Sequence, residues 1–169
     1  FFIMPYEDAA EFSNFWHVGL CTTCFQVPCQ WLLACFCAPC YSCNQRIKIL
    51  DGNMENYRCC GHAYCPFECG EKDCPYFCLC LEVFFCFWCS VFGNRFLIQS
   101  EYQVRNTAFE NCMIWTMCIF SWVWCLIQIA TNVSLGKGEW LIDMIYCMFS
   151  ACMQSQQNAE LEYQRGSKV

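Results

Sequence analysis

The sequence predicts a mainly α fold, a small cysteine-rich helical domain with one or two strongly apolar helices, and three observations predict it. Cysteine supplies 21 of the 169 residues, a density at which cysteine chemistry shapes a fold. Two long stretches carry no charge: Trp16 to Cys43 and Cys112 to Ala130 contain no Asp, Glu, Lys or Arg. Proline and glycine then stand where helices begin and end. Metal-stabilised loops between the helices complete the expected fold.

Residues 1–15 read as an N-terminal arm, polar and aromatic, with Pro5 and three acidic residues. The main cysteine-rich domain is expected over 16–131. Inside it, Pro28 suits a first helical turn and Asp51-Gly52 a stop, so a helix is predicted over about 28–50. Pro39 lacks an amide donor, so that helix should kink or break near it. Residues 51–75 change character, with Gly52, Gly61, Gly70, Pro66, Pro75 and five cysteines. A loop of that length inside a compact domain needs an organiser, and metal is the one its residues offer.

Residues 76–92 are apolar again apart from Glu82, and 93–110 are polar and helix-compatible. The uncharged run from Cys112 to Ala130 contains Trp115, Trp122 and Trp124 and approaches the roughly 20 residues that span a bilayer. A buried core helix is the alternative. Gly136-Lys137-Gly138 reads as a hinge before an amphipathic helix over 139–163. On that helix Trp140, Met144, Ile145, Met148, Phe149 and Cys152 share one face, opposite Asp143, Ser150, Gln154 and Gln157. Such a stripe is expected to dock on protein. The polar tail from Ala159 to Val169 is expected to fray, and no repeat of useful period is evident.

Composition bounds the partners. Aromatic residues make up 18% and charged residues only 14%, against roughly 25% charged in ordinary domains. So few charges do not cover a monomer, and extensive contact with lipid or protein is expected. The net charge of −6 and nine scattered basic residues argue against nucleic acid, whose phosphates call for clustered Lys and Arg. The expected partners are other protein subunits, a second copy of this chain included, and membrane lipid, with no small-molecule substrate.

The cysteines fall into three groups. In the first, Cys21-x2-Cys24 precedes Cys37-x2-Cys40-x2-Cys43, with Cys29 and Cys35 between. Two intervening residues let both sulfurs reach one ion at about 2.3 Å, the distance of a zinc thiolate. The second group is Cys59, Cys60, His62, Cys65, Cys69 and Cys74, where neighbouring glycines allow the chain to wrap an ion. A disulfide-stapled loop is the alternative there. The third, Cys78, Cys80, Cys86 and Cys89, lies in an apolar segment; Cys86-x2-Cys89 could complete a site with the first group, and thiols of a buried core are an equally good reading. Cys112, Cys118, Cys125, Cys147 and Cys152 read as single core thiols. No cleavable signal opens the sequence as given, so a reducing intracellular compartment and metal thiolates are expected in preference to bridges.

Catalysis finds little support. His17 and His62 are the available histidine bases, and each reads better as a capping or metal residue. Neither a phosphate-binding loop nor a nucleophile elbow is present. Asn132-Val133-Ser134 fits a glycosylation acceptor that chance also explains.

From Ser13-Asn14-Phe15-Trp16, through Gly19-Leu20-Cys21, to Cys37-Ala38-Pro39-Cys40 and Cys43, the chain resembles the onzin/cornifelin cysteine-rich family, which includes plant cell-number regulators and cadmium-resistance proteins. Arg95, Tyr102, Cys112, Cys118 and Cys125 look like the counterpart of its second half, and the resemblance covers roughly residues 13–130. Residues 51–75 depart from it as a cysteine-rich insertion, and the second apolar run is more aromatic. The resemblance implies a small, often membrane-associated, non-enzymatic protein linked in plants to divalent-metal handling. Two functions are therefore expected. One is a non-catalytic, zinc-stabilised structural or adaptor protein of a membrane or large assembly. The alternative is an oligomeric pore or exporter for divalent metal ions, with Glu82 as its ion-pathway carboxylate. An oxidoreductase using Cys37 and Cys40 ranks behind both.

Overall fold

The structure, a computed structural model, describes residues 12–62, 72–131 and 139–167. Most of the described chain is helical: α1 (Thr23–Gln26), α2 (Pro28–Phe36), α3 (Ala38–Ile49), α4 (Pro75–Phe85), α5 (Phe87–Tyr102), α6 (Ala108–Thr131) and α7 (Glu139–Ser167). Two short strands, β1 (Asn14–Phe15) and β2 (Val104–Arg105), pair in parallel with Asn14 opposite Val104. The arm up to residue 11, the Gly136 hinge and the glycosylation-like triplet lie outside the described residues.

The predicted helix over 28–50 is there, and it breaks as expected. Pro28 opens α2 and Pro39 stands in the first turn of α3. The break falls at Cys37, whose backbone leaves the helical region at φ −137° and ψ 45°. Pro39 has no amide to donate and its ring crowds the carbonyl four residues back, so the helix cannot run straight through. Asp51 and Gly52, both at positive φ (51° and 77°), end α3.

A second break was not legible in the same way. α4 and α5 meet at Cys86, with φ −128° and ψ 48°, and their axes turn through 118°. The two breaks are built alike. In each, the break residue's amide still donates to the carbonyl four residues back, Cys37 to Leu33 at 3.0 Å and Cys86 to Glu82 at 2.7 Å. Cys37, Cys40 and Arg46 of the first recur as Cys86, Cys89 and Arg95 of the second at one constant offset. A repeated bent unit is therefore present where no repeat was expected.

Helix α6 starts with a reciprocal cap. Thr107 Oγ1 accepts from the Glu110 amide at 3.2 Å, and Glu110 Oε2 accepts from the Thr107 amide at 2.8 Å. A Thr-x-x-Glu spacing satisfies two amides that the first turn would otherwise leave without partners. Glu110 does more than cap, because its other oxygen accepts from the Leu20 amide and from Gln156 Nε2.

The interior is unusually polar. Gln45, Arg46, Gln154, Gln156, Gln157 and Glu160 are each at most 1% exposed, while Phe25, Phe36, Phe84 and Phe85 are between 75% and 87% exposed. Helix α7 carries this inversion along its length. Its first part presents Trp140, Leu141, Met144, Ile145 and Met148 outward, and its second part buries everything from Phe149 to Leu161 except the half-buried Cys152. This corrects two expectations. The polar residues Ser150, Gln154 and Gln157 face inward, and the segment from Ala159 does not fray but continues the helix to Ser167. The reason is what surrounds them. Gln45 Nε2 donates to the Gln154 carbonyl, Arg95 Nη1 to Gln156 Oε1 at 2.8 Å, and Gln157 Nε2 to the Val91 carbonyl at 3.1 Å. Gln156 and the Gln157 amide nitrogen are buried with partners on neighbouring elements, whereas both side-chain polar atoms of Gln154, and Oε1 of Gln45 and of Gln157, are buried without a hydrogen-bond partner among the described residues.

Apolar clusters fill the space between these networks. Leu20, Val91, Phe92, Ile114, Phe149 and Met153 form one, and Met54, Tyr57, Leu79 and Val83 another. Helix α6 lies between its two expected roles. Ile114 packs into the core, whereas Trp115, Trp122, Val123 and Leu126 stand exposed. The expected strongly apolar helix is not found: no single helix among the described residues is long and apolar enough to cross a membrane, although α4 and α5 pass that test together as a bent pair.

Gly93 is where α5 meets the loop before α4. A Cβ built there would lie 2.8 Å from Arg46 Nη2 and 3.0 Å from both the carbonyl carbon and oxygen of Cys60. Alanine usually gains about 0.5–1 kcal/mol over glycine inside a helix; here overpacking of about 1–3 kcal/mol should reverse the sign. Gly93→Ala is expected to lower the midpoint of chemical denaturation. Gly166→Ala, with nothing within 4 Å of its Cβ, should leave it unchanged or raised.

Candidate metal centre

The site grows from two charges in otherwise uncharged surroundings. Arg46 is the first charged residue after the bare stretch that opens the domain, and Glu82 is the lone charge in 76–92. The structure pairs them: Arg46 Nη2 lies 3.0 Å from Glu82 Oε1, and both side chains are 0% exposed. An ion pair so buried persists only when its remaining hydrogen-bonding groups are also satisfied, and here they are. Arg46 Nε donates to Asn94 Oδ1, Nη1 to the Arg58 carbonyl at 3.2 Å and Nη2 also to the Ser90 carbonyl at 3.4 Å. Glu82 Oε2 accepts from the Tyr57 hydroxyl at 2.6 Å and from the Cys60 amide at 2.9 Å. Asn94 Nδ2 is in turn held by Ser42, whose hydroxyl lies 3.0 Å from that of Ser90.

Cys60 sits against this network in a left-handed backbone conformation, φ 53°. A residue with a Cβ reaches that region only at an energetic cost, and the surrounding structure has to hold it there. Glu82 holds its amide, and the bare Cα of Gly93 receives its carbonyl. The consequence is that the Cys60 thiol turns toward its neighbours. Cys59 Sγ and Cys60 Sγ are 3.8 Å apart, and together with a Glu82 oxygen they form the one trio of potential metal-binding atoms, among the described residues, lying within 4.8 Å of one another.

Cys89, in the first turn of α5, lies within hydrogen-bond reach of Cys60, and Cys86 within reach of Cys89. The bond between Cys60 and Cys89 pushes the Cys60 thiol well above its ordinary value, and burial adds to this. The same bond lowers Cys89.

The remaining predicted ligands are distributed differently from their spacing. Cys21 and Cys24 lie on the turn before α1 and on α1, and the thiol near them is Cys152 of α7. Cys37 and Cys40 are within hydrogen-bond reach of each other, and Cys43 reaches Cys80 of α4. Burial pushes Cys43 up to about 11. No three of these first-group thiols converge as the Cys59 trio does. Cys89 comes within reach of Cys60 of the second group, whereas Cys86-x2-Cys89 was a candidate to complete the first. Cys74 is exposed at the start of α4. Cys65 and Cys69 lie outside the described residues, as do the side chains of His62 and Cys125. The ring of His17 stacks on Tyr163 at 4.0 Å. None of the 18 described cysteines forms a disulfide.

Spacing alone missed Cys80 and Cys89 as partners, because each is supplied by a helix remote in sequence. The lone charges at Arg46 and Glu82 were a usable signal, since two isolated opposite charges in apolar segments are best buried together. Glu82 itself is enclosed by Arg46, Tyr57 and the Cys60 amide.

Glu82→Gln leaves Arg46 buried without its counter-charge and is expected to cost about 3–5 kcal/mol in equilibrium denaturation. Asp51→Asn removes the exposed pair with Arg165 and should change stability by less than about 1 kcal/mol. Comparison of the chain with protein-family models, with curated proteins and with solved structures gives no match.

Proposed function

We propose that this chain is a non-catalytic, zinc-stabilised structural or adaptor protein seated in the face of a membrane. The observation that carries this reading is the inverted distribution of polarity. Arginine, glutamate and glutamine fill the interior. Large aromatic and aliphatic side chains cover the outside of α2 and α4, the outer face of α6 and the start of α7. In water such a surface invites aggregation; against acyl chains it is favourable by roughly 25 cal/mol per Å² of apolar surface covered. The bent pairs α2–α3 and α4–α5 suit shallow insertion: each dips an apolar arm and returns toward a buried arginine. The resemblance to the onzin/cornifelin family, carried by Cys37-Ala38-Pro39-Cys40, fits the same reading.

Zinc belongs to the proposal through the chemistry of the donors. Paired thiols beside helix starts are soft, ionisable ligands, and zinc would bind them without redox chemistry of its own. The exporter reading has less behind it, because Glu82, its pathway carboxylate, is already engaged by three partners.

Incubated with phosphatidylcholine vesicles, the purified chain is expected to float with the lipid, and acyl-chain bromine should quench its tryptophan emission. Trp122→Ser with Trp140→Ser should weaken vesicle binding by about tenfold or more, each exposed aromatic contributing on the order of 1 kcal/mol. Recovery of the wild-type chain wholly in the aqueous fraction, unquenched, would remove the membrane from the proposal. Under reducing conditions the protein should carry at least about one tightly bound zinc per chain, and metal-free folded protein would remove the zinc.

A further inference from the structure

We infer that the junction of α3, α5 and α7 is a binding site for internal water, held by the side-chain amides of Gln45, Gln154 and Gln157. The inference stands apart from the zinc and membrane readings, because it rests on the interior alone.

The three helices each pack against the other two, and the three glutamines are at most 1% exposed. Two of them are fixed by one end only. Gln45 Nε2 donates to the Gln154 carbonyl, and Gln157 Nε2 donates to the Val91 carbonyl at 3.1 Å. Neither amide can be turned end for end, since that would set its oxygen against a carbonyl oxygen. Gln45 Oε1 and Gln157 Oε1 are therefore acceptors, and both are buried with no partner among the described residues. Gln154 adds an acceptor, Oε1, and a donor, Nε2, which are likewise buried and unpartnered.

The fold brings these groups together. Gln154 and Gln157 stand three apart on α7, so their side chains are neighbours on the helix surface. Gln45 is held against the backbone of Gln154 from α3. Four buried polar atoms left without partners would cost a large share of the stability of a domain this size.

The pattern of donors and acceptors names the ligand. A cation would satisfy the oxygens but can accept nothing from Gln154 Nε2. An anion would accept from that nitrogen but can donate nothing to Gln45 Oε1 or Gln157 Oε1. Water does both, and buried waters typically make about three bonds to groups the protein leaves unpaired. One water donates to Gln45 Oε1 and Gln157 Oε1 and accepts from Gln154 Nε2; a second serves Gln154 Oε1. Such bridges are nearly as favourable as direct hydrogen bonds. They complete, between α7 and its two neighbours, contacts that the side chains reach only halfway.

Two measurements on the intact, isotope-labelled chain test the site. In wild-type protein, magnetisation transfer from water should give cross-peaks at the Nε2 protons of Gln154 and Gln157, with cross-relaxation distinguished from proton exchange by its sign in the rotating frame. The second is the midpoint of chemical denaturation of Gln154→Met, an unbranched replacement close to glutamine in size. At a dry junction, methionine would remove two unpaired polar atoms and raise the midpoint. With water bound, it removes the amide that holds the water and strands Gln45 Oε1 and Gln157 Oε1, so the midpoint should fall. A wild-type chain without the cross-peaks, or a variant with a raised midpoint, overturns the inference. The spectrum is read on wild-type protein, so poor folding of the variant would not spare it.

Discussion

The guanidinium of Arg46 organises the fold around itself. It reaches Glu82 on α4, Asn94 and the Ser90 carbonyl on α5, and the Arg58 carbonyl in the intervening loop. A fully buried cation tolerates no loose donors, so each of these elements is constrained in position and in rotation about its axis. Gly93 follows from the same constraint, since a larger residue would collide with the guanidinium and with Cys60. The left-handed Cys60 and the sulfur cluster depend on that arrangement in turn.

Arg95 does similar work in the second bent unit, by different means. Its guanidinium lies 4.2 Å from the centre of the Trp16 ring and donates twice to Asn106 Oδ1 and once to Gln156. Trp16 and Gln99 donate to the same Asn106 oxygen. One acceptor thus ties the N-terminal segment, α5 and the approach to α6 together. Both arginines sit nine positions after a break cysteine, one facing a carboxylate and the other an amide and an aromatic face. A duplicated backbone device has been fitted with two chemistries.

Much of this could be read from residues alone, and the rest has physical reasons for being hidden. Pro28, Pro39 and Asp51-Gly52 announced α2, the first break and the end of α3, because they act through local backbone geometry. The break at Cys86 has no proline; it shows only when Cys37, Cys40 and Arg46 are set beside Cys86, Cys89 and Arg95. The amphipathic pattern of α7 was visible, but its orientation was not. Hydrophobic periodicity predicts which residues share a face, while the neighbours decide which face is inside. Here those neighbours offer arginine, glutamate and backbone carbonyls to Gln156 and Gln157, and Gln154 is buried beside them without a side-chain partner among the described residues. The cysteine groups were legible as groups, and their pairing was not, since Cys80 and Cys89 approach from a helix pair whose bend the spacing did not encode.

The dual engagement of Glu110 bears on the order in which the chain assembles. This carboxylate closes the cap at Thr107 and also receives Leu20 and Gln156, and Gln156 belongs to α7, which leaves the ribosome after α6. Until α7 arrives, the acceptors and donors awaiting it on α3, α5 and α6 remain solvated and their helices unlatched. Co-translational folding therefore stops short of a closed interior, and a chain truncated within α7 would present a wet polar groove on one side and bare aromatic rings on the other, the kind of half-finished surface that chaperones recognise.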